Sequence, residues 1–96
     1  MSLKVGDQIW LPCEVKPGPF SNERLARIQL PSEPWIGFVD VQALKDPVER
    51  GNTLVLAQIV EVEKDFVKAL VQGHSFSTRQ VHASRAEVHP VVSLPA

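Results

Sequence analysis

Val5-Gly-Asp-Gln-Ile-Trp-Leu-Pro-Cys-Glu-Val15 reads as a turn followed by a strand. Gly6-Asp7 supplies the turn signal. Behind it Ile9, Leu11 and Cys13 alternate with Trp10, Pro12 and Glu14, the period of two that a half-buried β-strand requires. The alternation puts Ile9, Leu11 and Cys13 toward a core and Trp10 on the opposite face. Pro12 has no N–H to donate, so the strand is expected at a sheet edge, or with a bulge at Pro12.

Working outward, Lys16-Pro-Gly-Pro-Phe-Ser-Asn-Glu23 is dense in turn formers and reads as a long loop, the kind of segment that often carries function. Leu25–Leu30 is a second strand with Ala26, Ile28 and Leu30 on one face and Leu25, Arg27 and Gln29 on the other. After a turn at Pro31–Pro34, Trp35–Val41 is a third strand, and Gln42–Lys45 a single helical turn closed by Asp46-Pro47. Gly51-Asn52 marks an internal boundary. Thr53–Glu63 is a long strand, Lys64-Asp65 a tight hairpin turn without the favoured glycine, and Phe66–Gln72 the antiparallel return. Gly73-His74 reads as a loop, Ser77–His82 as a last strand, Ala83–Ala86 as a second helical turn, and residues 91–96 as a frayed tail. A competing reading makes 78–88 a short helix, because Ser77 and Gln80 have capping-box spacing and Pro90 would stop it.

The same unit is thus described twice, three strands and a short turn each time. Ile9-Trp-Leu11 falls against Leu54-Val-Leu56, Ala26-Arg-Ile28 against Val67-Lys-Ala69, and Val39-Asp-Val41 against Val81-His-Ala83, at offsets of 45, 41 and 42. Either a true duplication or the generic likeness of all-β segments accounts for this. The expected fold is all-β, a small barrel of one domain over residues 1–96, with two fused three-stranded halves, 4–48 and 52–90, as the repeat reading.

Composition bounds the function. Ninety-six residues suffice for one domain, and a hydrophobic content of 44% is globular. A net charge of −1 gives no global pull toward nucleic acid or an anionic membrane. The lone Cys13 excludes an internal disulfide and suggests a reducing, cytoplasmic setting. No apolar run reaches membrane-helix length, and no cofactor motif occurs.

The candidate chemistry is sparse. Cys13 reads as a small buried hydrophobe, with no local cation to make it a thiolate. His74, His82 and His89 lie with Arg79 and Arg85 in the last third, but their spacing matches no zinc site. Glu61, Glu63 and Asp65 would share one strand face as a solvated acidic stripe. The most informative set is Trp10, Phe20 and Trp35, which beside Glu23, Arg24 and Arg27 would make an aromatic, basic surface able to anchor a peptide or stack bases.

Gly37-Phe-Val-Asp-Val-Gln-Ala-Leu44 resembles the end of an SH3-like barrel, where a glycine-aromatic strand enters a 3₁₀ turn. The chain has no tyrosine, whereas SH3 grooves for proline-rich ligands need several. Gly6-Asp-Gln-Ile-Trp10, Gly18 and Glu23-Arg-Leu-Ala-Arg27 are similar to the opening of MazF-type ribonuclease toxins, which implies an RNA-cleaving role for Arg24. That family has Arg-Pro where this chain has Arg24-Leu25. The leading expectation is a non-enzymatic, cytoplasmic, bacterial-style binding or assembly module whose partner is a protein or a second copy. The alternatives are the toxin-like ribonuclease and an RNA-binding barrel using Arg27, Lys68, Arg79 and Arg85.

Overall fold

A computed structural model of the chain describes residues 3–30, 34–76 and 80–91. The turn at 31–33, Ser77 as a cap, Arg79 and the tail from residue 92 lie outside the described residues.

Eight strands and two single 3₁₀ turns make an all-β chain whose antiparallel sheet curls into a half-barrel. The strands are β1 (Gln8–Pro17), β2 (Glu23–Ile28), β3 (Trp35–Asp40), β4 (Gly51–Val62), β5 (Phe66–Val71), β6 (Gly73–Ser75), β7 (Val81–Ser84) and β8 (His89–Pro90). Their order in the sheet is β6-β3-β2-β1-β4-β5-β7, with β8 added to β1. Residues 81–87 form strand and 3₁₀ turn, so the helix over 78–88 does not form. Gly73-His74, read as loop from its turn formers, is strand. No helix among the described residues is long and apolar enough to cross a membrane.

The spine is the β1·β4 ladder, which runs from Gln8↔Gln58 to Val15↔Gly51. β4 suits this place because Thr53, Val55, Ile59, Val60 and Val62 are β-branched and pack well on a pleated surface. β1 is central, contrary to the edge expected from Pro12. On its far side β8 pairs only with Ile9 and Trp10, and β2 starts pairing only at Glu14. Pro12 falls in the gap between them, where the ladder asks for no donor. Both spine strands are entered through left-handed glycines, Gly6 at φ 95° and Gly51 at φ 127°.

Three strands, β1 to β3, lead into the first 3₁₀ turn, and four, β4 to β7, into the second. In the first, Asp40 caps Val41–Ala43 by accepting from the Gln42 N–H at 2.8 Å, and the Val41 N–H donates to the Asn22 carbonyl. In the second, Ser84 caps Arg85–Glu87 by accepting from the Ala86 N–H at 3.3 Å, and the Arg85 N–H donates to the Asp65 carbonyl. After each turn a buried residue follows, Leu44 or Val88. These contacts match Asp40 to Ser84 and Asn22 to Asp65, offsets of 44 and 43 rather than the 45, 41 and 42 of the sequence pairing. Apolar runs slide along one another without penalty in a sequence comparison, whereas a hydrogen-bonded cap fixes the register.

Lys64-Asp65 closes the β4–β5 hairpin, with the Glu63 N–H donating to the Phe66 carbonyl at 2.8 Å. No described non-glycine residue has positive φ, so this turn is not of the primed kind. The register slips by one between Ile59 and Glu61, a bulge that adds twist near the turn. Buried residues of both halves, among them Ile9, Leu11, Val15, Val55, Ile59 and Val67, form one apolar cluster. Each such side chain contributes about 1.5–3 kcal/mol when fully buried.

Candidate interaction face

The outward side of the spine carries an apolar centre. Since Ile9, Leu11, Cys13 and Val15 are buried, the intervening residues of β1 face out. Register then sets Trp10 opposite Leu56 and Pro12 opposite Leu54. Trp10, Leu54 and Leu56 remain half-exposed and Pro12 exposed. The next pairs in either direction, Gln8↔Gln58 and Glu14↔Asn52, are polar and exposed. An apolar centre inside a polar rim is the anatomy of a protein contact surface.

Beyond Glu14 the face becomes charged. Arg27 of β2 is the direct partner of Glu14, and Lys16 lies one outward position further along β1. A cavity of about 320 Å³ is lined by Pro12, Cys13, Glu14, Arg27, Gln29 and Asn52, with Thr53. A second of about 230 Å³, lined by Glu14, Val15, Lys16, Arg50 and Gly51, adjoins it at Glu14. The ion pair of Lys68 with Glu61 at 3.2 Å and the hydrogen-bonded contact of His82 with Glu63 at 2.8 Å involve none of these groups. Cys13 borders the first cavity, but burial pushes its thiol up to about 12, so it is no nucleophile at neutral pH.

The residues singled out in the sequence do not converge. Trp35 is 1% exposed and belongs to the core, on the side of β3 that it shares with Gly37 and Val39. Phe20 is 67% exposed in the β1–β2 turn, at the Pro17 end of β1. Trp10 is seven residues up that strand, about 23 Å along its path at about 3.3 Å per residue. Glu23 sits at the same turn, with its N–H donating to the Phe20 carbonyl and its own carbonyl accepting from the Gly18 N–H. Arg24 has the inward parity of Ala26 and Ile28, and at the rim of the sheet its guanidinium ties loops together. It donates to the carbonyls of Val48 at 2.9 Å, Ser21 at 3.0 Å and Glu23 at 2.9 Å. Only Trp10 and Arg27 share the outward face, on either side of Pro12.

Other candidates are absorbed locally. Of the acidic stripe only Glu61 lies in a strand, and Glu61 and Glu63 pair with Lys68 and His82 of neighbouring strands. Arg85 donates to the Glu63 and Lys64 carbonyls. Among the described residues no group of three His, Cys, Asp or Glu could hold a metal.

Two features escaped the sequence. Leu54 and Leu56 complete the apolar centre and follow from applying to β4 the parity rule that placed Trp10. Phe76, 62% exposed, packs edge-on against Phe38 with ring centroids 4.9 Å apart, a contact that needs the β3·β6 pairing. No family model, curated protein or solved structure matches the chain.

Proposed function

We propose that the protein is a non-enzymatic assembly module that associates through the outward face of the β1·β4 ladder, with a second copy as its partner. The observation that carries this is the apolar centre of Trp10, Leu56, Pro12 and Leu54 inside its polar rim. The choice of a second copy rests on charge. Glu14 stands among Lys16, Arg27 and Arg50, so the face holds both signs side by side. Two such faces related by a two-fold axis set the anion of one against the cations of the other, the self-complementarity of an isologous contact.

The enzymatic alternative has less support. Arg24, the arginine that the toxin resemblance would use on RNA, spends its guanidinium on three backbone carbonyls. The RNA-binding alternative loses Lys68 and Arg85 to local partners.

Light scattering over a concentration series tests the proposal. The mass should rise from 10.6 kDa toward twice that value, and Trp10→Glu should hold it at the single-chain mass with an unchanged circular dichroism spectrum. A wild-type mass fixed at 10.6 kDa up to about 1 mM, the weak limit of useful affinity, overturns it. Association that appears only with added single-stranded RNA, and fades steeply with salt, replaces it with the RNA reading.

A further inference from the structure

β1 has a gap on its far side, since it pairs with β8 only as far as Trp10 and with β2 only from Glu14 onward. The direction of its backbone groups there follows from the bonds on either side. The Ile59 N–H donates to the Asp7 carbonyl, and the Val91 N–H to the Gln8 carbonyl. Successive strand residues turn their N–H and C=O to opposite neighbours, so odd residues of β1 serve β4 and even ones serve the β8 and β2 side. The Pro12 carbonyl therefore points into the gap. It has no hydrogen-bond partner among the described residues.

Pro12 also lines the cavity of about 320 Å³ that Glu14, Arg27, Gln29 and Asn52 border. Glu14 stands between Arg27 of β2 and Asn52 of β4, each its direct partner in a ladder. Direct partners have Cβ atoms about 5 Å apart. Even so, no ion pair or hydrogen bond joins the Glu14 and Arg27 side chains. The side chains of Gln29 and Asn52 are likewise without partners, and all four residues are exposed. Opposite charges in water gain little from each other, so both stay available to a ligand.

We propose that this cavity binds a small zwitterion, an α-amino acid with a compact apolar side chain, its carboxylate on Arg27 and its ammonium on the Glu14 carboxylate and the Pro12 carbonyl. Charge decides the class. A plain anion would meet Glu14, and a plain cation would meet Arg27, with Lys16 and Arg50 beyond it. A compound with both charges sets each against its opposite. A guanidinium suits a carboxylate because its two parallel N–H groups donate together. An ammonium has three donors, and the Asn52 carboxamide beside Glu14 offers the third acceptor. Leu54, the partner of Pro12, borders the site on the apolar side. One water takes up about 30 Å³, so the cavity has room for a guest of amino-acid size. The site is complete in one copy and does not rest on the association proposed above.

Amide signals in a ¹H–¹⁵N spectrum give the readout, at a concentration where light scattering reports the single-chain mass of 10.6 kDa. L-Leucine is the probe. Isoamylamine, which lacks the carboxylate, and 4-methylpentanoate, which lacks the ammonium, are the controls. At neutral pH leucine should move the Cys13, Glu14 and Arg27 amides saturably. It should bind about fivefold or more tightly than either control, the effect of one charge-assisted hydrogen bond at an exposed site. Arg27→Gln should weaken leucine by about that factor and leave isoamylamine no weaker, and Glu14→Gln should weaken leucine and leave 4-methylpentanoate no weaker. No saturable movement in the wild type up to about 20 mM overturns the proposal, since a compound this small is expected to bind at about millimolar strength. Equal binding of the three compounds overturns it as well, and so do variants that leave leucine binding unchanged. The wild-type comparison decides the matter even if a variant does not fold. A mass that never rises above 10.6 kDa counts against the association alone and leaves this titration intact.

Discussion

β3 and β7 each lead into a capped 3₁₀ turn, yet among the described residues β3 is flanked on both sides and β7 on one. The difference comes down to two missing Cβ atoms. A Cβ on Gly37 would collide with the His74 carbonyl, and one on Gly73 with the Phe38 carbonyl. Both obstacles are backbone, which cannot swing aside. Shifted by the 44 positions that relate Asp40 to Ser84, these glycines correspond to Val81 and Gln29. Val81 is fully buried, so the second half spends that position on its core. Similar apolar patterns thus build similar half-sheets, and two glycines decide which of them acquires another strand.

The sharpest way to break this asymmetry is Gly73→Ala. It should cost about 3 kcal/mol, the upper range for overpacking against a fixed neighbour. Urea denaturation gives the cost, and hydrogen exchange should show protection lost at β3 and β6 while β7 keeps its own. A cost below about 0.5 kcal/mol, the scatter of ordinary surface changes, would mean that the close β3·β6 approach does not decide the closure.

A smaller effect separates the halves at the spine. Thr53 of β4 corresponds by the same shift to Ile9 of β1, and both are buried. Thr53 Oγ1 donates to the Asp46 carbonyl at 2.8 Å and accepts from the Asp46 N–H at 3.2 Å, pinning the chain where the halves join. Thr53→Ala should cost about 1–2 kcal/mol by leaving those groups unpaired, with amide protection at Asp46 falling before global unfolding.

The two loop-tying arginines come next. Arg24→Ala should cost about 1 kcal/mol, since three carbonyls lose a charged donor at a half-exposed site, and Arg85→Ala about half of that. Thermal melts of the two variants rank them, and the reverse order would contradict the assignment of Arg24 as the main tie between the β1–β2 turn and Val48.

The smallest effect at neutral pH belongs to Cys13. Its thiol ionises near 12 in the folded chain because burial opposes the charge, against 9.0 in a solvated thiol. Above pH 9 the unfolded chain releases a proton that the folded chain keeps, so stability should fall as pH rises through 9 toward 12 and stay flat below it. Ellman's reagent at pH 8 should label the native protein far more slowly than the urea-unfolded chain. Equal rates would place the thiol at the surface.

The strands that alternate strictly were legible from sequence. Ile9, Leu11 and Cys13 announced β1 and its outward Trp10, and Phe66–Gln72 announced β5. The lone turns after β3 and β7 followed from short polar breaks. The orientation of β3 was not legible, because Ile36 and Phe38 on one face are as apolar as Trp35 and Val39 on the other. That ambiguity made Trp35 look like a surface residue. β6 was hidden for another reason: three residues, Gly73 to Ser75, have no periodicity to read, and what makes them a strand is the space above Gly37. The inward Arg24 was likewise invisible, since only the end of the sheet decides whether an inward position meets core or rim.

The spine also sets how the chain must assemble. Gln8 finds its partner at Gln58, and Trp10 meets His89, so the first strand made is the last to be enclosed on both sides. The β2–β3 and β4–β5 hairpins close locally, but joining them through β1 and β4 means pairing residues 36 (Val15 with Gly51) to 50 (Gln8 with Gln58) apart in the chain before the central contacts repay that entropy. Folding is therefore set to run in about milliseconds to seconds, the range of non-local β topologies, rather than microseconds. During synthesis the apolar side of β1 waits uncovered until β4 has emerged.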